Sequence, residues 1–162
     1  MMNIEDVFQA IRLNELGALV DMLGSIDINS VNEKGQCFLH EAAAYRALGC
    51  AKELLARNIS VNCQDVRGMT PLHYCAANDG YDVAFEIVKA GAELSVSDSY
   101  GNEPLWTAVF NARGNYDLVR LLVNNGADPC HKNNNSKSPL DFAAQIGDAV
   151  LVSILKDGVP SK

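Results

Sequence analysis

Aliphatic side chains recur at helical spacing in short stretches that polar breaks keep apart. Val83, Ile87 and Val88 share one face of a helix, as do Leu118, Leu121 and Leu122. Ahead of such stretches lie shorter, alanine-rich ones carrying the pairs Ala43-Ala44, Ala76-Ala77 and Ala143-Ala144. Small side chains there let neighbouring helices approach closely. The pattern predicts helix pairs, a short alanine-rich helix one followed by an amphipathic helix two. No pair buries its apolar face alone, so the pairs must stack into one continuous core.

Between the pairs a four-residue word returns. Thr70-Pro71-Leu72-His73 is the cleanest copy, and Cys37-Phe38-Leu39-His40, Glu103-Pro104-Leu105-Trp106 and Ser138-Pro139-Leu140-Asp141 are its variants. The leucines are spaced 33, 33 and 35 residues apart, the signature of a stacked array of small units. Pro71, Pro104 and Pro139 suit a first helical turn, where the missing N–H had no partner, and Thr70 and Ser138 suit the N-cap before it. Gly35, Gly68 and Gly101 each follow an Asn or Asp three residues earlier, which predicts tight turns. Gly91 and Gly126 end amphipathic runs as left-handed stops, with Asn58 in the same role one unit earlier. In the best copy, helix one starts near Pro71 and helix two ends near Ala90.

On these residues the chain resembles the ankyrin repeat, a β-turn followed by two antiparallel helices. The resemblance rests on the Thr-Pro-Leu-His word, the alanine pairs and the Gly-Ala-Asp/Glu stops at Gly91-Ala92-Glu93 and Gly126-Ala127-Asp128. It implies an all-α solenoid forming one domain over 1–162. An N-terminal cap covers 1–35, full repeats cover 36–68, 69–101 and 102–136, and a C-terminal cap covers 137–162. Residues about 4 to 23 keep the two-helix pattern without the turn word, and the stretch from Ser138 to Val159 stops after its second helix, as end units with a polar outer face should. Two surplus residues fall around Asn111-Ala112-Arg113-Gly114-Asn115 and lengthen an inter-helix turn. That loop is either a tolerated surface insertion or a partner contact.

Composition excludes several classes of function. No apolar run is long enough to span a membrane, and the first residues have neither the basic start nor the apolar stretch of a signal peptide. The cytoplasm is the expected location. Five cysteines without a C-x-x-C spacing argue against a disulfide framework and a zinc site. Cys75 reads as core, and Cys63 and Cys130 as ordinary reduced loop thiols. Cys37 with His40 is the nearest approach to a metal site, but both occupy positions of the repeated word, so no metal and no cofactor is expected. The resemblance gives His40 and His73 a structural part, hydrogen bonding around the turn between units, and His131 stands alone in a polar loop. With no nucleophile and base at recognisable spacing and no phosphate-binding glycine loop, the chain is not expected to be an enzyme.

What remains is binding. The resemblance places the partner surface on the concave side, built from turn tips and first helices. Lys34, Arg67, Met69, Tyr100 and Asn102 stand at the tips, and Tyr45, Asn78, Asp79, Phe110 and Asn111 at the variable helix-one positions. Departures from the word add Glu41, Tyr74, Glu103 and Trp106. An aromatic strip of Tyr45, Tyr74, Tyr100, Trp106 and Phe110 beside Glu41, Asp79, Asp98 and Glu103 is expected to carry hot spots. Trp106 has a second reading as packing between units, and Asp98 one as a turn former. Thirteen basic against 20 acidic residues give a net charge of −7, which disfavours nucleic acid and suits a protein partner with a basic surface. The function expected is a monomeric, non-catalytic module that occludes such a partner. A bacterial immunity protein neutralising a basic toxin is one form, a regulatory adaptor for a kinase, transcription factor or other signalling protein a second, and an oligomeric structural part a third.

Overall fold

The computed structural model describes residues 3–160; Met1 and Met2, where the signal-peptide reading starts, lie outside the described residues. Among the described residues ten helices fall into five pairs: α1 (Ile4–Arg12) with α2 (Leu16–Leu23), α3 (Phe38–Ala44) with α4 (Leu48–Ala56), α5 (Pro71–Ala77) with α6 (Tyr81–Lys89), α7 (Pro104–Asn111) with α8 (Asp117–Asn124), and α9 (Pro139–Gln145) with α10 (Ala149–Asp157). The first helices pack on one another as one row and the second helices as another. Apart from one isolated bridge between Val31 and Cys37, no β pairing occurs among the described residues. The fold is the expected all-α solenoid. Helix one of the best copy begins at Pro71, and helix two ends at Lys89 with Ala90 as its cap.

Each local signal has a physical counterpart. Thr70 accepts the amide of His73, and Ser138 that of Asp141, so both helices start on the predicted caps. Asn58, Gly91 and Gly126 take φ of 61°, 89° and 93°, the left-handed stops that the spacing predicts. The tip glycines answer to two constraints at once. Gly68 has φ of 75°, and a Cβ there would meet Asp98 Cα at 3.2 Å, because the next tip lies directly against it. The tips are joined in series: Val66 N–H donates to the Lys34 carbonyl at 3.0 Å, Ser99 N–H to that of Arg67 at 2.9 Å, and Asn134 N–H to that of Tyr100 at 3.0 Å. Ser136 occupies the fourth such position at φ 58°. Among the described residues no further tip packs against it, so only the backbone angle disfavours a side chain there.

Leu39, Leu72 and Leu105 are fully buried, whereas Leu140 is only partly so because, among the described residues, no first helix packs on the far side of α9. Around them lie Phe8, Phe38, Leu54, Ile87, Leu122 and Leu151, which make one core along the stack. The surplus residues do lengthen the turn between α7 and α8. It is tied down on both sides, by Asn115 donating to the Asp79 carboxylate at 3.1 Å and by the Tyr116 hydroxyl donating to Asp148 at 2.8 Å.

Candidate functional site

The tips and the C-terminal ends of the first helices project from the stack because their chain directions reverse there, which leaves backbone hydrogen bonding to short turns and side chains free. Of the expected partner-facing residues, Lys34, Tyr45, Arg67, Asn78, Asp79, Tyr100 and Phe110 are exposed there, and Met69, Asn102, Trp106 and Asn111 are half-buried. Tyr45, Tyr100 and Phe110 leave 56, 67 and 60% of their surface open, a large amount for aromatic rings. An open cleft of about 460 Å³ runs between two inter-helix turns, lined by Asn78, Asp79, Asn111 and Arg113.

Three of the expected contact residues are not on the surface. Glu41 is buried and paired with Arg12, which also holds Glu5 at 2.8 Å, so its charge closes the joint with the N-terminal unit. Tyr74 is buried: its hydroxyl donates to Asp65 at 2.8 Å and accepts from Gln36 at 2.5 Å and Arg67 at 3.2 Å. Burial alone would raise the Asp65 carboxyl, but the Tyr74 hydroxyl, the Met69 and Arg67 amides and the Arg67 guanidinium outweigh it and hold it below the usual range. Glu103 is buried as well, with His131 Nδ1 at 3.2 Å from its carboxylate. Burial pushes Glu103 up, against the opposing pull of His131. A side chain at these positions is drawn inward because the neighbouring unit closes over it, which spacing within one repeat does not reveal.

The continuous strip of aromatic and acidic groups is therefore broken. Of the 20 carboxylates, six lie on the second helices, at Asp21, Glu53, Asp82, Glu86, Asp117 and Asp157, and others stand exposed at tips and turns, Glu33 and Asp79 among them. Asp98 takes its turn-forming part, accepting the amides of Tyr100 at 2.8 Å and Asn102 at 3.0 Å. Trp106 packs against Phe142 with ring centroids 5.7 Å apart, and Phe110 lies 5.4 Å from the same ring, so packing between units accounts for the half-buried indole.

His40 and His73 bridge the units as expected. Nε2 of His40 donates to the Met69 carbonyl at 2.8 Å and that of His73 to the Asn102 carbonyl at 2.9 Å, while each Nδ1 accepts the amide three residues back. Burial pushes both imidazoles below the usual value, so they stay neutral, as this pair of bonds requires. His131 is not solitary: besides Glu103, its Nε2 donates to the Gly101 carbonyl at 3.0 Å. The sign that points to it is Glu103 in place of the capping threonine, a carboxylate that needs a partner once the neighbouring unit covers it. Cys63 is not an ordinary loop thiol either, for its sulfur lies against that of Cys37 beside His40. Cys75 is buried, as expected.

No helix among the described residues is long and apolar enough to cross a membrane. The family described as ankyrin repeats (3 copies) matches residues 7–98, and that described as ankyrin repeats (many copies) matches 105–157. The chain is 27% identical to a putative palmitoyltransferase of Danio rerio over 95% of its own length and 24% of the relative's. It is 35% identical to the neurogenic locus notch homolog protein 1 of Danio rerio, over 80% of this chain and 5% of that protein. A third relative is the B-cell lymphoma 3 protein homolog of Mus musculus, 30% identical over 79% of this chain and 29% of that one. The chain thus spans under a third of each of these relatives. Repeats of this kind are protein-binding modules, and what the relatives share with this chain is the stack itself. With the two matches together running over all five helix pairs, the chain belongs to the ankyrin-repeat family.

Proposed function

We propose that this chain is a non-catalytic, monomeric binding module, three repeats between two caps, that occludes a protein partner with its tip and first-helix side. The observation that carries this reading is the exposure of Tyr45, Tyr100 and Phe110 on one side of a rigid stack, with Lys34 and Arg67 beside them. Rigid amphipathic rings lose little entropy on binding and serve as anchors. A net charge of −7 would speed encounter with a basic partner, the immunity-protein reading in which a bacterial toxin is neutralised. On this side Glu41 and Glu103 are buried and paired internally while Glu33 and Asp79 stay exposed along with Lys34 and Arg67, a mixed charge that supports the adaptor reading, with a signalling protein as partner, alongside the immunity one.

The test compares affinity capture from the native cell by the wild-type chain, by Tyr45→Ser/Tyr100→Ser/Phe110→Ser, and by Phe85→Ser on the second-helix side. A specific partner is expected with the first and the third and not with the second, at unchanged thermal midpoints. In rate measurements with that partner, one anchor lost should speed dissociation, by about 2 kcal/mol at a hot spot. Capture undiminished by the triple substitution would move the site elsewhere. A toxin among the captured proteins, with growth rescued by co-expression, would decide for immunity over adaptor.

A further inference from the structure

Cys37, His40 and Cys63 meet at the start of α3. Their sulfur atoms and the His40 Nδ1 all lie within 4.8 Å of one another, with Nδ1 3.2 Å from Cys37 Sγ and 3.8 Å from Cys63 Sγ. Cys37 and His40 are buried and Cys63 is half-buried, so the group is closed on one side and reachable on the other. We propose that these three residues bind a thiophilic closed-shell cation, Zn(II) or Cu(I), and that the fold was modified at this point to do so.

Three features carry the inference. The first is the ligand chemistry: two thiols and an imidazole are the donors that select such ions, at bond lengths of about 2.0–2.3 Å that a group of this span accommodates. The second is the tautomer. Nε2 of His40 is committed as donor to the Met69 carbonyl at 2.8 Å, which leaves Nδ1 unprotonated beside both sulfurs, accepting the Cys37 amide, and this anchoring of the far nitrogen is the outer-shell arrangement that orients metal-binding histidines. The third is the departure from the repeat. The equivalent positions one unit on are Thr70 and Val96, and there the Thr70 hydroxyl lies 2.9 Å from His73 Nδ1 and caps the helix. At the same N-cap Cys37 offers only a weakly accepting sulfur, so the thiol gives up part of what the threonine hydroxyl does for the fold. Its match 26 residues on is a second cysteine rather than valine.

Binding replaces two S–H bonds with two metal–sulfur bonds, and the two protons leave to solvent. With Zn(II) the two thiolates balance the ion, which suits a mostly buried place, and a fourth position stays open on the Cys63 side. The cation displaces the Cys37 amide, which donates to Nδ1 at 3.1 Å. A direct Cys37–Cys63 disulfide is the competing use of the pair. The Cα atoms stand 7.1 Å apart, beyond the usual disulfide range of about 4.4–6.8 Å, which a bridging ion spans without moving the backbone.

The test uses the 162-residue chain, reduced and kept free of oxygen. Titration with Co(II) should give thiolate-to-metal charge-transfer bands in the near ultraviolet and tetrahedral visible bands, saturating at one ion per chain and bleached by Zn(II). Zn(II) in excess should raise the thermal midpoint by about 5 °C or more. A separate titration with Cu(I) against a chromogenic chelator reads the monovalent ion. Cys37→Thr rebuilds the word found at Thr70, keeps the fold and should abolish all three signals, as should Cys63→Val, whereas Cys130→Ser should leave them intact. Co(II) bands without thiolate character, equal binding by Cys37→Thr, or a reduced chain that takes up neither ion and merely oxidises to a 37–63 disulfide would each overturn the proposal.

Discussion

The first and third full repeats solve the same joint with different chemistry. At the first, the helix opens on Cys37 and the buried, neutral His40 reaches the carbonyl of the next tip; the second repeats this with Thr70 and His73. At the third, the N-cap is Glu103, which makes no side-chain cap bond, and Trp106 stands where the histidine belongs. There the neighbouring unit is held by aromatic packing on Phe142, and His131 from the following loop supplies the contact with Glu103 and with Gly101. The loop residues Cys63 and His131 hold equivalent places, 26 and 28 residues after their N-caps, the difference being the two surplus residues. The fold demands only that the helix start and the tip carbonyls be satisfied, and it leaves the chemistry between N-cap and loop open to other use.

The hydrophobic layer is where the two regions should not differ. Leu72→Ala and Leu105→Ala each remove a fully buried side chain and are expected to cost about 2–5 kcal/mol, read as midpoint shifts in urea. A loss under about 1 kcal/mol at either would place that leucine outside the stack.

Polar substitutions should separate them. His73→Leu leaves the Thr70 amide without a partner, takes one of two donors from the Asn102 carbonyl, which keeps the Asp98 amide, and is expected to cost about 1–3 kcal/mol. Glu103→Thr with Trp106→His rebuilds the word in the third repeat. It removes a buried carboxylate, restores a cap and is expected to add about 0.5–1 kcal/mol at neutral pH. If the double substitution destabilises as much as His73→Leu, the tryptophan joint is specialised rather than merely substituted.

Acid should then sharpen the contrast by small, opposite effects. His40 and His73 have folded values depressed below 6.5, so the unfolded chain takes up protons first and their joints weaken as pH falls below about 6.5. Glu103 has a folded value raised above 4.5, so the folded state takes up its proton first, and the cost of its buried charge is relieved as pH falls toward 4.5. Hydrogen exchange between pH 7 and 5 should show protection falling at the amides of α3 and α5 more than at those of α7. Uniform loss along the stack would mean that the joints titrate as one unit.

The elements were legible in the sequence because their causes are local. A proline after a capping residue, a glycine at positive φ and aliphatics at helical spacing act within a few residues, and α5 and α6 lie where those signs put them. The site was legible only in outline. The tip and helix-one positions follow from the repeat, and seven of the 14 named residues are exposed there. Glu41, Tyr74 and Glu103 were not separable from them by pattern, since each is turned inward by a residue 29, nine or 28 positions away.

By itself, the sequence determined the repeat, its phase and the side from which variable residues project, because every unit carries its own caps, stops and apolar face. Only the tertiary structure decided which polar groups are spent inside. Whether a carboxylate meets Arg12 or solvent, or a thiol meets Cys63 and His40 or nothing, depends on which loop the stack brings across it. Burial and pairing belong to the assembled array, where a neighbouring unit removes the water that a charge or a thiol would otherwise face.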